Sequence, residues 1–122
     1  MNRIRLLVAL AFAALLAAAP ASPIASSGVV VSQVYAGGGN SEASFTNDYV
    51  ELFNAGSAAV TIDGWTVQYA SAAGSTWQTT AVSGSIPSGG YFLVQFASGG
   101  SVGAGLPTPD ATGTSNPAVS GG

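Results

Sequence analysis

Residues 47–65 decide the fold of this chain. They read Asn47-Asp48-Tyr49-Val50-Glu51-Leu52-Phe53-Asn54-Ala55-Gly56, then a short spacer, then Val60-Thr61-Ile62-Asp63-Gly64-Trp65. Side chains along a strand alternate between its two faces. Val50 and Leu52 therefore share one face, and Tyr49, Glu51 and Phe53 the other. Asn54-Ala55-Gly56-Ser57 reads as a turn, because Asn and Gly tolerate positive φ. A short strand over residues 60–62 stops at Asp63-Gly64. A further strand opens on Trp65, where Trp65, Val67 and Tyr69 alternate with Thr66 and Gln68.

The same period continues outward in both directions. Residues 29–35 (Val-Val-Val-Ser-Gln-Val-Tyr) are rich in β-branched side chains and read as the first strand. Gly37-Gly38-Gly39-Asn40 ends it. No helix and no Gly-Lys-Ser/Thr sequence follows these glycines, so they form an inter-strand loop and not a phosphate cradle. Residues 77–82 read as a Thr-rich strand. Ile86-Pro87-Ser88-Gly89-Gly90 places Pro and Gly as a tight turn needs them. Residues 91–96 follow, with Phe92, Val94 and Phe96 on one face. About six strands separated by turn signals at roughly 8–12 residues predict a β-sandwich or barrel. No segment beyond residue 21 has helical period, which opposes a βαβ fold.

The first residues read differently. Arg3 and Arg5 precede an unbroken apolar run over residues 6–19, and Ala19-Pro20-Ala21 supplies a small-x-small cleavage pattern. This is the pattern of a secretory signal peptide over residues 1–21. The run is shorter than the ~20 apolar residues of a membrane-spanning helix. A secreted, extracellular location is expected, with no membrane attachment after cleavage. Both basic residues lie in this segment. All five acids, Glu42, Asp48, Glu51, Asp63 and Asp110, lie beyond it. A chain without side-chain cations cannot release counterions from phosphates, so direct nucleic-acid binding is not expected. Anionic membrane surfaces are disfavoured for the same reason. No cysteine is present, so packing and backbone pairing must hold a small secreted domain that often relies on disulfides.

The ordered set of motifs resembles the lamin-tail domain family, in its bacterial secreted branch. The pieces that carry the resemblance are Val31-Ser32-Gln33-Val34-Tyr35, the Asp48-to-Asn54 strand, Asp63-Gly64-Trp65, Ile86-Pro87-Ser88-Gly89-Gly90-Tyr91, Phe92-Leu93-Val94 and Leu106-Pro107-Thr108-Pro109-Asp110. The resemblance implies an all-β, immunoglobulin-like β-sandwich with its core over residues 28–97. It also implies a non-catalytic interaction or scaffold module. Residues 98–122 are Gly-, Ser- and Pro-rich, with few apolar side chains to offset their ordering entropy. They read as a surface loop, a linker, or an incomplete part of the domain. Family members of this type close with a further apolar strand after the Asn116 region. That strand is expected to be missing here, as in a C-terminally truncated fragment or the leading domain of a longer protein.

Candidate chemistry is sparse. With no His or Cys, and no Lys beyond the leader, a serine nucleophile lacks a base other than a carboxylate. Asp48 and Glu51 are paired carboxylates of the kind used in glycoside hydrolysis. Their odd spacing along a strand puts them on opposite faces, so they do not converge on one bond. Asp48 is expected to cap a loop-to-strand transition, and Glu51 to accept hydrogen bonds from backbone, Ser or Thr groups. Glu42, Asp48 and Asp110 lie in or near oxygen-rich loops that suit Ca²⁺, but without any ligand spacing that defines a site. No catalytic, cofactor-binding or metal-ligating residue is assigned. Trp65 is expected in the core with Val67 and Tyr69. Trp77, among Ser, Thr and Gln, is the aromatic best placed to meet a partner. Three readings follow: an interaction module for a protein or surface ligand, the accessory domain of an extracellular nuclease of the endonuclease/exonuclease/phosphatase type, or a carbohydrate- or cell-surface-binding domain. The coding sequence that follows residue 122 would separate them.

Overall fold

The computed structural model describes residues 28–117. The expected signal peptide over residues 1–21 and the expected absence of a closing strand beyond Pro117 both fall outside the described residues. Eight strands follow in order: Val29–Tyr35 (β1), Tyr49–Asn54 (β2), Val60–Thr61 (β3), Trp65–Tyr69 (β4), Gln78–Val82 (β5), Ser85–Ile86 (β6), Tyr91–Gln95 (β7) and Ala111–Thr112 (β8). The period-two segments all fold as strands. β2 runs one residue further than alternation suggests, through Asn54, while β7 ends one residue earlier at Gln95. Among the described residues there is no helix, and so none long and apolar enough to cross a membrane.

One layer is a four-stranded sheet in the order β1-β2-β7-β8. β1 and β7 flank β2 antiparallel, and β8 runs parallel to β7. Opposite the apolar face of this sheet lie two short antiparallel ribbons, β3-β6 and β4-β5. The register matches the alternation read from sequence. Leu52 lies opposite Phe92 and Val50 opposite Val94, so the inner faces of β2 and β7 coincide. The core is Leu52, Ile62, Val82, Ile86, Phe92, Val94 and Phe96, with Val29, Val50, Val60, Val67 and Ala111 packed against it. Each fully buried side chain of this kind contributes about 1.5–3 kcal/mol.

The turns obey local stereochemistry. Gly90 N–H donates to Pro87 C=O at 2.9 Å, and Gly89 has φ of 68°. Positive φ at the third position is the type II arrangement, which requires Gly there.

Trp65 departs from expectation. It shares a face with Val67 and Tyr69, as alternation requires, but it is 38% exposed. β4 pairs only with β5 among the described residues, so no described strand lies beyond its other edge to cover the indole. The buried positions of the second layer are Ile62, Thr80, Val82 and Ile86.

Residues 98–117 bury little apolar surface, yet they are tied to the sheet through their backbone. Thr46 N–H donates to Ala104 C=O, Asp110 N–H to Leu93 C=O, and Ala97 N–H to Ser115 C=O, all at 2.9 Å. Hydrogen bonding to an existing edge strand orders a segment whose composition offers no core.

Candidate functional site

β2 is bracketed by two fully buried polar side chains. Asp48, just before it, is 1% exposed. Its Oδ1 accepts the Gly38 N–H at 2.6 Å, and its backbone C=O accepts from Phe96 N–H at 2.8 Å. It therefore clamps the triglycine loop to the end of β7. Gly38 must be glycine here, because a Cβ would run into the Asn47–Asp48 peptide. Asp48 Oδ2 is buried with no hydrogen-bond partner. Burial pushes this carboxyl above the ordinary carboxylate range, against the lowering effect of the Gly38 and Gly37 N–H groups. At the other end, Asn54 is fully satisfied. Its Nδ2 donates to Ala58 C=O at 2.8 Å and Ile86 C=O at 2.9 Å, and its Oδ1 accepts Gly56 N–H at 2.9 Å. Sequence reasoning placed Asn54 in a turn. The available signal was its position two residues beyond Leu52, on the inner face.

The remaining acids are dispersed. Glu51 lies on the outer face, opposite Gln33 and Leu93, and accepts the Ser32 hydroxyl at 2.7 Å. Asp48 and Glu51 do not share a face. Asp110 accepts Leu93 N–H at 2.8 Å and Asp63 accepts Gly84 N–H at 2.8 Å. Glu42 is exposed at a positive φ of 66°. The fold does not bring Glu42, Asp48 and Asp110 together, and no group of three or more potential ligands gathers among the described residues.

The conspicuous surface feature is an apolar groove between β1 and β4. It comprises two hollows of about 540 and 280 Å³ that share Val31, Val67 and Gln68. Val31 and Val34 lie on the inner face of β1, opposite Leu52 and Val50. They are nonetheless 58% and 68% exposed, because no second-layer strand among the described residues covers them. Trp65 lies at one end of the groove, and Tyr35 with Tyr69 at the other. No charged residue lines either hollow. Trp77 is 63% exposed, as its polar neighbours suggest, but it is not part of this groove.

Two packed β layers without a helix among the described residues form an immunoglobulin-like β-sandwich. The family model for the lamin tail domain matches residues 22–120, and the chain belongs to that family. No curated protein and no solved structure matches it. The lamin tail domain is a non-catalytic immunoglobulin-like family.

Proposed function

We propose that this chain acts outside the cell as a secreted, non-catalytic binding module. The observation that carries the reading is the apolar, charge-free surface between β1 and β4, lined by Val31, Val34 and Val67. Large exposed apolar patches on small domains mark interaction sites. The leader pattern of residues 1–21 supports export. The lack of His, Cys and, beyond residue 5, of any cation supports a non-catalytic role.

The test is expression of the full chain in a secreting bacterial host. Protein recovered from the medium should begin near residue 22. It should bind saturably to an extracellular or cell-surface component, and it should turn over no phosphodiester, ester, peptide or glycoside substrate. Retention of the uncut chain in the cell, or turnover that Asp48→Asn or Glu51→Gln abolishes with the fold intact, would overturn the reading.

A further inference from the structure

We infer that Glu51, Phe53 and Tyr91 form a site on the outer face of the four-stranded sheet that takes the guanidinium of an arginine side chain from a partner protein. The three residues line neither hollow of the β1–β4 surface, so the site is separate from it and goes beyond the binding-module reading.

The outer face of a sandwich sheet is ordinarily polar, because it meets water while the opposite face packs on the core. This face is different. Phe53 lies opposite Tyr91 on β7 and opposite Val30 on β1, and Glu51 lies opposite Leu93. An acid is thus set beside a row of apolar side chains. The Phe53 and Tyr91 ring centroids are 4.8 Å apart, and the rings are inclined at 34°. Tyr91 leans one ring face on Phe53, yet it is 62% exposed, so its other face meets solvent. Glu51 and Phe53 are two residues apart on one face of β2, about 7 Å along the strand. Tyr91 is the diagonal neighbour of Glu51, within reach of a long side chain.

The carboxylate is held in place. The Ser32 hydroxyl donates to its Oε1 at 2.7 Å. An ionised carboxylate accepts at both oxygens, and residues 28–117 contain no Lys, Arg or His to pair with it. A group that covers the open face of Tyr91 and also bonds Glu51 must be cationic, flat and rich in N–H donors. Guanidinium has all three properties, since it stacks on aromatic rings and its fork of N–H groups matches a carboxylate. An ammonium lacks the plane. The methylene stem of arginine suits the apolar row beside the acid. Beyond Arg5 neither this chain nor a second copy of it carries a cation, so the group comes from a different protein. Free arginine fits less well, because its α-carboxylate meets a domain whose described charges are all negative.

The experiment titrates the intact chain with N-acetyl-arginine amide, and with the blocked lysine, blocked citrulline and free arginine counterparts, followed by backbone amide shifts. Blocked arginine should give saturable shifts at Ser32, Glu51, Phe53 and Tyr91, with affinity that falls as salt rises. Blocked citrulline, which has the same shape without the charge, should give none over the same range. Blocked lysine and free arginine should bind several-fold more weakly. Tyr91→Ala should weaken binding about two- to fivefold, the worth of an exposed cation–π contact, and Tyr91→Phe should retain it. Glu51→Gln should weaken it by a similar factor, as expected for an exposed ion pair. Absence of a saturable shift with blocked arginine overturns the proposal. So does equal binding of citrulline, which would make charge irrelevant, or equal binding of blocked lysine, which would remove the stacked plane. Free arginine binding as tightly as the blocked form would assign the site to an amino acid and overturn it too. Indifference to both Tyr91→Ala and Glu51→Gln would place the arginine elsewhere. The probe comparisons use the wild-type chain and decide the matter even where a variant fails to fold. Export and saturable surface binding are read separately, so failure here leaves the binding-module reading standing.

Discussion

The carboxylate of Asp48 holds the backbone N–H of Gly38 at 2.6 Å while its second oxygen, Oδ2, is buried with no partner. One oxygen does structural work and the other carries an uncompensated desolvation cost. Burial raises the carboxyl above its ordinary value of 3.8. The folded state thus binds a proton more readily than the unfolded state. The stability this confers is fully present below the unfolded pKa and is lost as pH rises through the raised folded value. Urea midpoints measured across that window should fall with rising pH. Asp48→Asn keeps an acceptor for Gly38 and removes the ionisation, so its midpoint should decline less. Parallel slopes for the two proteins would show that Asp48 does not carry the dependence.

Asn54 makes the opposite arrangement, with both of its polar atoms satisfied. Asn54→Ala deprives Ala58 C=O, Ile86 C=O and Gly56 N–H of their partner. A buried group left unsatisfied costs about 1–3 kcal/mol. The variant should lose at least about 2 kcal/mol by chemical denaturation, on the same basis. A loss within the ordinary range of surface substitutions would mean that solvent replaces these bonds.

The long strands were legible because their inner positions recur every second residue. That period alone placed Val50 with Leu52 on one face, and Phe92 with Val94 and Phe96 on one face. The short strand read over residues 60–62 is β3, whereas the two-residue strands β6 and β8 are too short to show a period, and β8 is Ala-Thr, held by backbone pairing to β7. The groove was illegible for a related reason. Alternation tells which face a side chain occupies, but not whether another strand lies over that face. Val31 and Val34 point inward yet are exposed among the described residues, because strand order across the two layers, not local sequence, decides what lies over them.

Charge predicts what the domain does not bind. Beyond Arg5 the chain has five acids and no Lys, Arg or His. Phosphate contacts from side-chain cations supply most non-specific affinity for DNA. The chain without residues 1–21 should give no gel shift with duplex DNA at physiological salt. A salt-dependent shift at micromolar protein would refute this.

The contrast between Trp65 and Phe92 tests the packing directly. Trp65 was expected in the core, yet it is 38% exposed at one end of the groove, whereas Phe92, opposite Leu52, is buried. Truncating a buried Phe to Ala costs about 3–5 kcal/mol. Small domains have only about 5–15 kcal/mol in total. Phe92→Ala should therefore abolish cooperative thermal unfolding or lower its midpoint steeply. Trp65→Ala removes a side chain that is already partly solvated, so it should lower the midpoint modestly and leave the transition cooperative. Trp77→Ala, removing a side chain that is mostly in solvent, should change it least. Melting curves of the three variants, followed by near-ultraviolet circular dichroism, rank the sites. A Trp65→Ala loss as large as that of Phe92→Ala would mean that the second layer closes over β4 and that the groove is absent in solution.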